Sequence, residues 1–91
     1  MLPPIILSIA GSDCSGGAGI QADIKTISAL GGYAASVITA VTAQNTLGVQ
    51  SVYPIPADMV KAQITSVMDD LRPDAVKIGM VHDAGIVTTI V

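Results

Sequence analysis

The sequence has 91 residues, enough for one domain or part of one, and 51% of them are hydrophobic while only 12% are charged. With a formal net charge of −3 and no cluster of Lys or Arg, the chain lacks the basic surface that nucleic-acid binding requires. No apolar run reaches the roughly 20 residues of a membrane span, and the single cysteine excludes internal disulfides and cysteine-rich metal sites, which fits a reduced, cytoplasmic compartment.

The first half of the chain predicts a strand, a loop, a helix and a second strand. Residues 5–10 form a continuous apolar run between Pro and Gly, which is typical of a buried strand. Residues 11–19 are dense in Gly and Ser and predict a loop, and the stretch 33–41 predicts a strand. Between them, the Gly pair at 31–32 closes a helix whose apolar face comprises Ile20, Ile24, Ile27 and Leu30.

The next segment predicts a turn, a third strand and a second helix. Residues 45–48 form the turn, and residues 49–55 alternate in polarity as strands do. Because the turn is short, the second and third strands are able to form a hairpin. Pro56 and Asp58 then open a helix that ends at residues 72–74. Its apolar face comprises Val60, Ile64, Val67, Met68 and Leu71.

The last part of the chain predicts a fourth strand over residues 75–80 and a third helix that begins at Asp83. Strands that alternate with helices predict an α/β fold with a mostly parallel sheet. The apolar face of the third helix is unfinished at Val91, with no Gly, basic last turn or breaker. We therefore expect a truncated chain, the N-terminal piece of a longer α/β protein, with a complete small domain that dimerises as the alternative.

The glycine-rich loop between the first strand and the first helix is the most specific feature of the sequence. A P-loop would need Lys and then Ser or Thr directly after Gly16, where Gly17 and Ala18 stand. A dinucleotide-binding loop would need an acidic residue near the end of the second strand, and residues 37–44 contain none. The spacing leaves two interpretations open: a backbone pocket that a flat ligand approaches closely, or only a tight turn.

Five stretches of the sequence carry a family resemblance: SIAGSD at 8–13, SGGAGIQAD at 15–23, SVITA at 36–40, AQNT at 43–46 and KIGM at 77–80. In this order they closely resemble the hydroxymethylpyrimidine/phosphomethylpyrimidine kinases of thiamine biosynthesis, a family of the ribokinase superfamily. The resemblance spans nearly the whole chain but only about the first third of a typical member.

The resemblance implies a ribokinase-like, mostly parallel sheet flanked by helices. It implies that ATP and Mg²⁺ are used to phosphorylate 4-amino-5-hydroxymethyl-2-methylpyrimidine and then its monophosphate, and that the enzyme is a cytoplasmic homodimer. Residues 1–91 would form the N-terminal, substrate-binding portion of a single kinase domain whose ATP-binding part lies beyond Val91. We therefore expect no catalytic or metal-ligating residue in this chain, and no activity from these residues alone.

Carried onto this sequence, the resemblance implies a pyrimidine site made of Gly11, Asp23, Gln44 and Met80, with Ala18 and Thr42 beside them. Gly11, Gln44 and Met80 each lie at or just past the end of a predicted strand, where open α/β sheets bind ligands. The Gln44 amide offers both a donor and an acceptor, which matches an aminopyrimidine edge. Thr42 departs from the aliphatic residue that members often carry.

Each of these residues also has a purely structural interpretation. Asp23 could be an acidic residue that is favourable near a helix N-terminus, Gln44 a turn-stabilising amide and Met80 a core side chain. We further expect Lys77, inside an apolar strand, to reach a strand edge or to pair with an Asp. Cys14 has no neighbouring base in the sequence, and we expect a passive thiol.

Two other functions stay open on the sequence alone. A pyridoxal or pyridoxine kinase of the same superfamily also phosphorylates a hydroxymethyl group on a flat ring. A non-catalytic α/β module that dimerises through its exposed apolar face is the alternative from a different class.

Overall fold

The computed structural model describes residues 2–79 of the chain. Their elements are, in order, β1 (Ile5–Ala10), α1 (Gly19–Ala29), β2 (Tyr33–Ile38), β3 (Ala40–Asn45), β4 (Gly48–Pro54), α2 (Ala57–Asp70) and β5 (Ala75–Ile78). The first predicted strand and the first two predicted helices are confirmed. Met80 and the helix predicted from Asp83 lie outside the described residues.

Three strands form a parallel sheet in the order β2-β1-β5, so the first apolar run of the sequence is its central strand. Ser8 in the middle of β1 is paired with Ser36 of β2 and with Lys77 of β5. A strand with a partner on each side contributes both edges of its backbone to the sheet, which fits the burial of residues 7–10. The predicted α/β fold with a parallel sheet is confirmed.

The hydrophobic core lies between this sheet and α2. Its buried centre comprises Leu7 and Ile9 of β1, Ala35 and Val37 of β2, and Val60 of α2. Partly buried side chains surround it: Ile55, Ala57, Ile64, Val67 and Leu71. Because successive strand residues point to opposite faces, the residues of β1 between these core positions face α1 instead.

The predicted second strand is wrong in one respect, because the chain forms two strands there and leaves the parallel sheet at Thr39. At the end of β2, the Ile38 N–H donates to Gln63 Oε1 and Gln63 Nε2 donates to the Ile38 carbonyl, both at 2.9 Å. A side chain of α2 therefore takes the place of a strand partner. The Thr39 carbonyl then accepts a hydrogen bond from the N–H of Ile55, at 2.9 Å.

Strands β3 and β4 form an antiparallel hairpin, as the short predicted turn permits. The pairing shifts between Ala43 and Gln44, so the hairpin carries an irregularity at the residue predicted to bind substrate. In the turn, Asn45 Oδ1 accepts a hydrogen bond from the Leu47 N–H at 2.9 Å. The turn is therefore stabilised by Asn45.

The predicted apolar face of each helix includes a residue that the structure leaves exposed. Leu30 is 83% exposed because α1 ends at Ala29, and Gly31 follows with a φ of 88°, as in a glycine-terminated helix. Met68 of α2 is 47% exposed. Within the described part of the chain, no helix is long and apolar enough to cross a membrane.

Candidate functional site

A cavity of about 290 Å³ opens at the carboxyl end of β1, the edge where parallel sheets bind ligands. Its walls come from the glycine loop, the hairpin and the end of β5. Four of the six predicted site residues line it, namely Gly11, Ala18, Thr42 and Gln44. The other lining residues are Ala10, Ser12, Gly19, Val49, Val52, Lys77 and Gly79.

A close backbone approach joins the end of β1 to the start of α1. The Ile20 N–H donates to the Gly11 carbonyl at 2.9 Å. A Cβ at Gly19 would overlap that carbonyl oxygen, and Gly19 has a φ of 57°, a conformation that other residues rarely adopt. Glycine at position 19 is therefore required by the fold itself, whatever binds in the cavity.

Inside the loop, the Asp13 carboxylate accepts four hydrogen bonds. Oδ1 accepts from the N–H and the hydroxyl of Ser15, at 2.9 and 2.6 Å. Oδ2 accepts from the N–H groups of Gly17 and Ala18, at 3.0 and 2.8 Å. Asp13 is only 3% exposed, so this carboxylate forms the interior of the loop.

These contacts keep Asp13 ionised. The hydrogen bond from the Ser15 side chain lowers the pKa of the Asp13 carboxyl, and burial opposes it. The backbone N–H groups of Ser15, Ala18 and Gly17 add to the lowering, and the net pKa lies below the ordinary value of 3.8. At neutral pH the loop therefore surrounds a negative charge that belongs to the chain.

Ser12 joins the loop to the hairpin through three hydrogen bonds. Its N–H donates to the Ala40 carbonyl at 2.8 Å. Its Oγ accepts from the Thr42 N–H at 3.2 Å, and its carbonyl accepts from Thr42 Oγ1 at 2.6 Å. The Thr42 hydroxyl therefore holds the hairpin against the glycine loop at the cavity wall.

Cys14 makes the second link between loop and hairpin. Its thiol donates to the Gln44 carbonyl at 3.2 Å and accepts from the Gln44 N–H at 3.3 Å. These contacts give the thiol a structural role. The Gln44 side-chain amide makes no hydrogen bond to any residue in the range 2–79, although it lines the cavity, so it is available to a ligand.

Asp23 lies beside the cavity rather than in its wall. It lines a neighbouring cavity of about 280 Å³, and Lys77 lines both cavities. Asp23 Oδ2 accepts from Ser8 Oγ at 2.6 Å and from Lys77 Nζ at 2.9 Å. The prediction that Lys77 pairs with an Asp is confirmed. No acidic residue stands in the first turn of α1, so Asp23 is not a dipole-stabilising N-terminal residue.

Two opposing effects act on the pKa of the Asp23 carboxyl. Burial raises the pKa of its carboxyl, while the hydrogen bonds from Ser8 and Lys77 and the positive charge of Lys77 lower it. The net pKa is lowered from 3.8, so Asp23 is ionised at neutral pH. Both donors bind Oδ2, and among residues 2–79 none donates to Oδ1.

The structure therefore brings four predicted residues into one cavity. Asp23 lies outside that cavity and is bound to Lys77, which lines it. Met80 lies outside the described residues, and its neighbour Gly79 lines the cavity. Sequence reasoning missed the internal role of Asp13 and the contribution of Val49 and Val52 from the hairpin. An Asp two residues before a Ser in a Gly-rich loop is a signal for local side-chain-to-backbone bonds, and it would have pointed to Asp13.

The described residues hold no group of His, Cys, Asp or Glu side chains arranged to bind a metal ion. The backbone N–H groups of the glycine loop, which resemble a phosphate cradle in their position before a helix, already bind Asp13. The loop thus does not fit a triphosphate. The cavity is mostly apolar, and one of its lining side chains, the Gln44 amide, has no hydrogen-bond partner among residues 2–79.

Sequence comparison relates the chain to known proteins. The family model described as phosphomethylpyrimidine kinase matches residues 13–91. A hydroxymethylpyrimidine/phosphomethylpyrimidine kinase from Salmonella typhimurium is 62% identical over 84 residues, which cover 92% of this chain and 32% of that protein. The chain thus spans about a third of the length of the curated relatives it matches.

Two solved structures are similar over nearly the whole chain. A phosphomethylpyrimidine kinase from Clostridium difficile superposes with a TM-score of 0.91 at 56% identity, covering 96% of this chain and 38% of that one. A pyridoxal kinase from Staphylococcus aureus in complex with pyridoxal superposes with a TM-score of 0.85 at 36% identity, covering 93% and 32%. The predicted ribokinase-like fold is confirmed by this similarity.

Proposed function

The chain belongs to the phosphomethylpyrimidine kinase family, and we propose that it forms the pyrimidine-binding part of an ATP-dependent kinase of thiamine biosynthesis. The reaction would phosphorylate 4-amino-5-hydroxymethyl-2-methylpyrimidine and then its monophosphate. The observation that carries this proposal is the cavity at the end of β1, where Gly11, Ala18 and Thr42 meet the Gln44 amide, which has no partner among residues 2–79.

The Gln44 amide would recognise the polar edge of the ring. Its carbonyl can accept from the exocyclic amine while its NH₂ donates to the adjacent ring nitrogen. Gly11 would let the ring approach the backbone closely. A Cβ at Gly11 would lie 3.6 Å from the Ala40 carbonyl oxygen, an ordinary contact, so the fold itself does not require glycine there. This room supports a ligand next to Gly11.

Asp23 and Met80 complete the proposed pyrimidine site. Asp23 would use Oδ1, to which none of the residues 2–79 donates, to accept a hydrogen bond from the substrate hydroxyl, and its ionised state suits an acceptor. Met80 directly follows the cavity-lining Gly79 and would wall the ring. In this role the chain positions the substrate, and it supplies no group that moves the phosphoryl.

ATP and Mg²⁺ would bind to another part of the same domain. The occupied glycine loop supports this division, as does the length of the relatives, of which the chain matches only a third. Residues 1–91 would then be the substrate-binding portion of a single kinase domain. We expect these residues alone to give no ATP-dependent turnover.

We further infer a homodimer that works in the cytoplasm. Large apolar side chains stand on the surface of the hairpin, including Leu47 at 92% and Tyr53 at 68% exposure, and such surface is available to a second copy. The only cysteine among the described residues, Cys14, carries a free thiol, which fits a reducing compartment.

The direct test is phosphate transfer from ATP by the intact protein that carries this chain. We expect kcat/KM for the hydroxymethylpyrimidine to exceed that for pyridoxine by about tenfold or more, since the Gln44 amide matches an aminopyrimidine edge. Pyridoxal kinase is the second candidate because of the structural similarity at 36% identity. A preference for pyridoxine would assign the protein to that activity, and no transfer to either compound would favour the non-catalytic module.

A further inference from the structure

The glycine loop is arranged like an anion-binding site, and the anion that it binds is the Asp13 carboxylate of the same chain. Backbone N–H groups before a helix commonly bind phosphate or carboxylate ligands. Here Gly17 and Ala18 direct theirs to Asp13 Oδ2, and Ser15 directs both its N–H and its hydroxyl to Oδ1. All four contacts are between 2.6 and 3.0 Å, so the carboxylate fits as a ligand would.

The position of Asp13 in the chain connects this contact to the cavity. Its neighbours on either side, Ser12 and Cys14, bind the hairpin at Thr42 and Gln44. Its own N–H donates to Gln21 Oε1 of α1 at 2.7 Å. One residue therefore connects the loop to the helix, while the residues next to it connect the loop to the hairpin.

The carboxylate also fixes two residues of the cavity wall. Ala18 is bound directly by Oδ2, and Gly19 follows it with a backbone that leaves no room for a side chain. If the carboxylate were removed, three N–H groups would lose their partner, and the loop would have to open to water to satisfy them. The wall formed by Ala18 and Gly19 would then keep the contact between the Ile20 N–H and the Gly11 carbonyl but lose the one that fixes Ala18.

We propose that Asp13 is a positioning residue, which acts as a built-in anion ligand and holds the glycine loop in the shape that receives the pyrimidine ring. This proposal rests on the proposed function, and it adds a residue that does not touch the substrate. It also explains why the loop does not hold the phosphates of ATP, because its donors are already used.

The first experiment replaces the carboxylate in the intact protein. With Asp13→Ala, we expect the KM for the hydroxymethylpyrimidine to rise about tenfold or more while kcat changes by less than about threefold, because the site is disordered but no reacting group is lost. Adding formate, which has the size and charge of the missing group, should lower the KM again in a saturable way. Asp70→Ala is the matched control, since Asp70 lies exposed at the end of α2.

A folded Asp13→Ala protein with unchanged KM, or with a raised KM that formate does not lower, would overturn the proposal. If that variant does not fold, Ser15→Ala decides, because it keeps the carboxylate and removes only the 2.6 Å hydroxyl contact. We then expect the KM to rise about two- to threefold at unchanged kcat, and an unchanged KM contradicts the proposal. Turnover by the unsubstituted protein tests the proposed function separately, since it does not depend on either variant.

Discussion

Asp13 and Asp23 are both ionised carboxylates near the cavity, and their partners give them different tasks. Asp13 accepts four hydrogen bonds from the loop, and its two carboxylate oxygens are both occupied. Asp23 receives Ser8 and Lys77 on one oxygen and keeps the other open within the described residues. The first arrangement shapes a loop, and the second leaves an acceptor for a ligand.

A side chain at position 19 should destabilise the folded protein. We expect Gly19→Ala to lower the free energy of unfolding by about 2 kcal/mol or more, because the new Cβ meets the Gly11 carbonyl and the backbone has a positive φ. Gly31→Ala is the control, with a φ of 88° and nothing within 4 Å, and it should cost only about 1 kcal/mol. Denaturant unfolding measures both, and equal losses would show that the overlap does not matter.

The ion pair between Lys77 and Asp23 gives a prediction on pH. The pKa of Asp23 is lowered from 3.8 in the folded state, so the pair stabilises the protein above that value and loses its effect as pH falls through the folded pKa. Because the side chains are 52% and 19% exposed, Lys77→Met should cost about 1 kcal/mol or less at pH 7.

The same substitution should cost nothing measurable at an acidic pH below the folded pKa of Asp23, where that carboxyl is protonated. Lys61→Met on the exposed surface of α2 is the matched control and should show no such pH dependence. Unfolding free energies at the two pH values provide the measurement. A loss at pH 7 that persists in acid would assign the role of Lys77 to packing instead of charge.

At the scale of elements, the separation of the hairpin from the parallel sheet makes the cavity. If β2 and β3 formed one continuous strand, Thr42 and Gln44 would not lie opposite the glycine loop. The break occurs where Gln63 of α2 satisfies both backbone groups of Ile38. The hairpin is then fastened to the loop by the contacts of Ser12 and Cys14. The Gln63 side chain thus ends β2, and the chain that follows forms β3 outside the parallel sheet.

Gln63 should therefore contribute to the stability of the fold through its two hydrogen bonds to Ile38. Gln63→Leu should lower the free energy of unfolding by about 1.5–3 kcal/mol, because two partly buried backbone groups lose their partners. Gln50→Leu is the control, since Gln50 is exposed on β4 and binds only the nearby Gly48 carbonyl. Its cost should stay below about 0.5 kcal/mol. Similar losses for both variants would mean that Gln63 does not end β2.

The elements that were predictable from the sequence are those with a local signal. The apolar run of β1, the glycines around α1 and the Pro that opens α2 each act within a few residues. The end of β2 was not predictable, because it depends on Gln63, which is 25 residues away in the sequence. Asp13 was missed for a related reason, since its role exists only when the loop folds back on it. Gln44 was found through family resemblance, while the structure was needed to show that its side chain has no partner among residues 2–79.

At the scale of the whole molecule, the low charge of the sequence corresponds to apolar surface on the hairpin and the sheet edge. Val76 and Ile78 of the edge strand β5 are 47% and 51% exposed. Val49 and Val52 of the hairpin are also exposed, and both line the cavity. A bound ring would cover part of that surface. The low charge therefore corresponds to apolar surface around the proposed site as well as to the core.

In the proposed function, the cavity at the end of β1 binds a pyrimidine through the Gln44 amide. Calorimetric titration of the intact protein with 4-amino-5-hydroxymethyl-2-methylpyrimidine measures this binding, with Gln44→Leu and the exposed control Gln50→Leu alongside. We predict that Gln44→Leu raises the Kd about tenfold or more, because two hydrogen bonds to the ring edge are lost, and that the control stays within about twofold. Equal affinity for the unsubstituted protein and Gln44→Leu would contradict the claim.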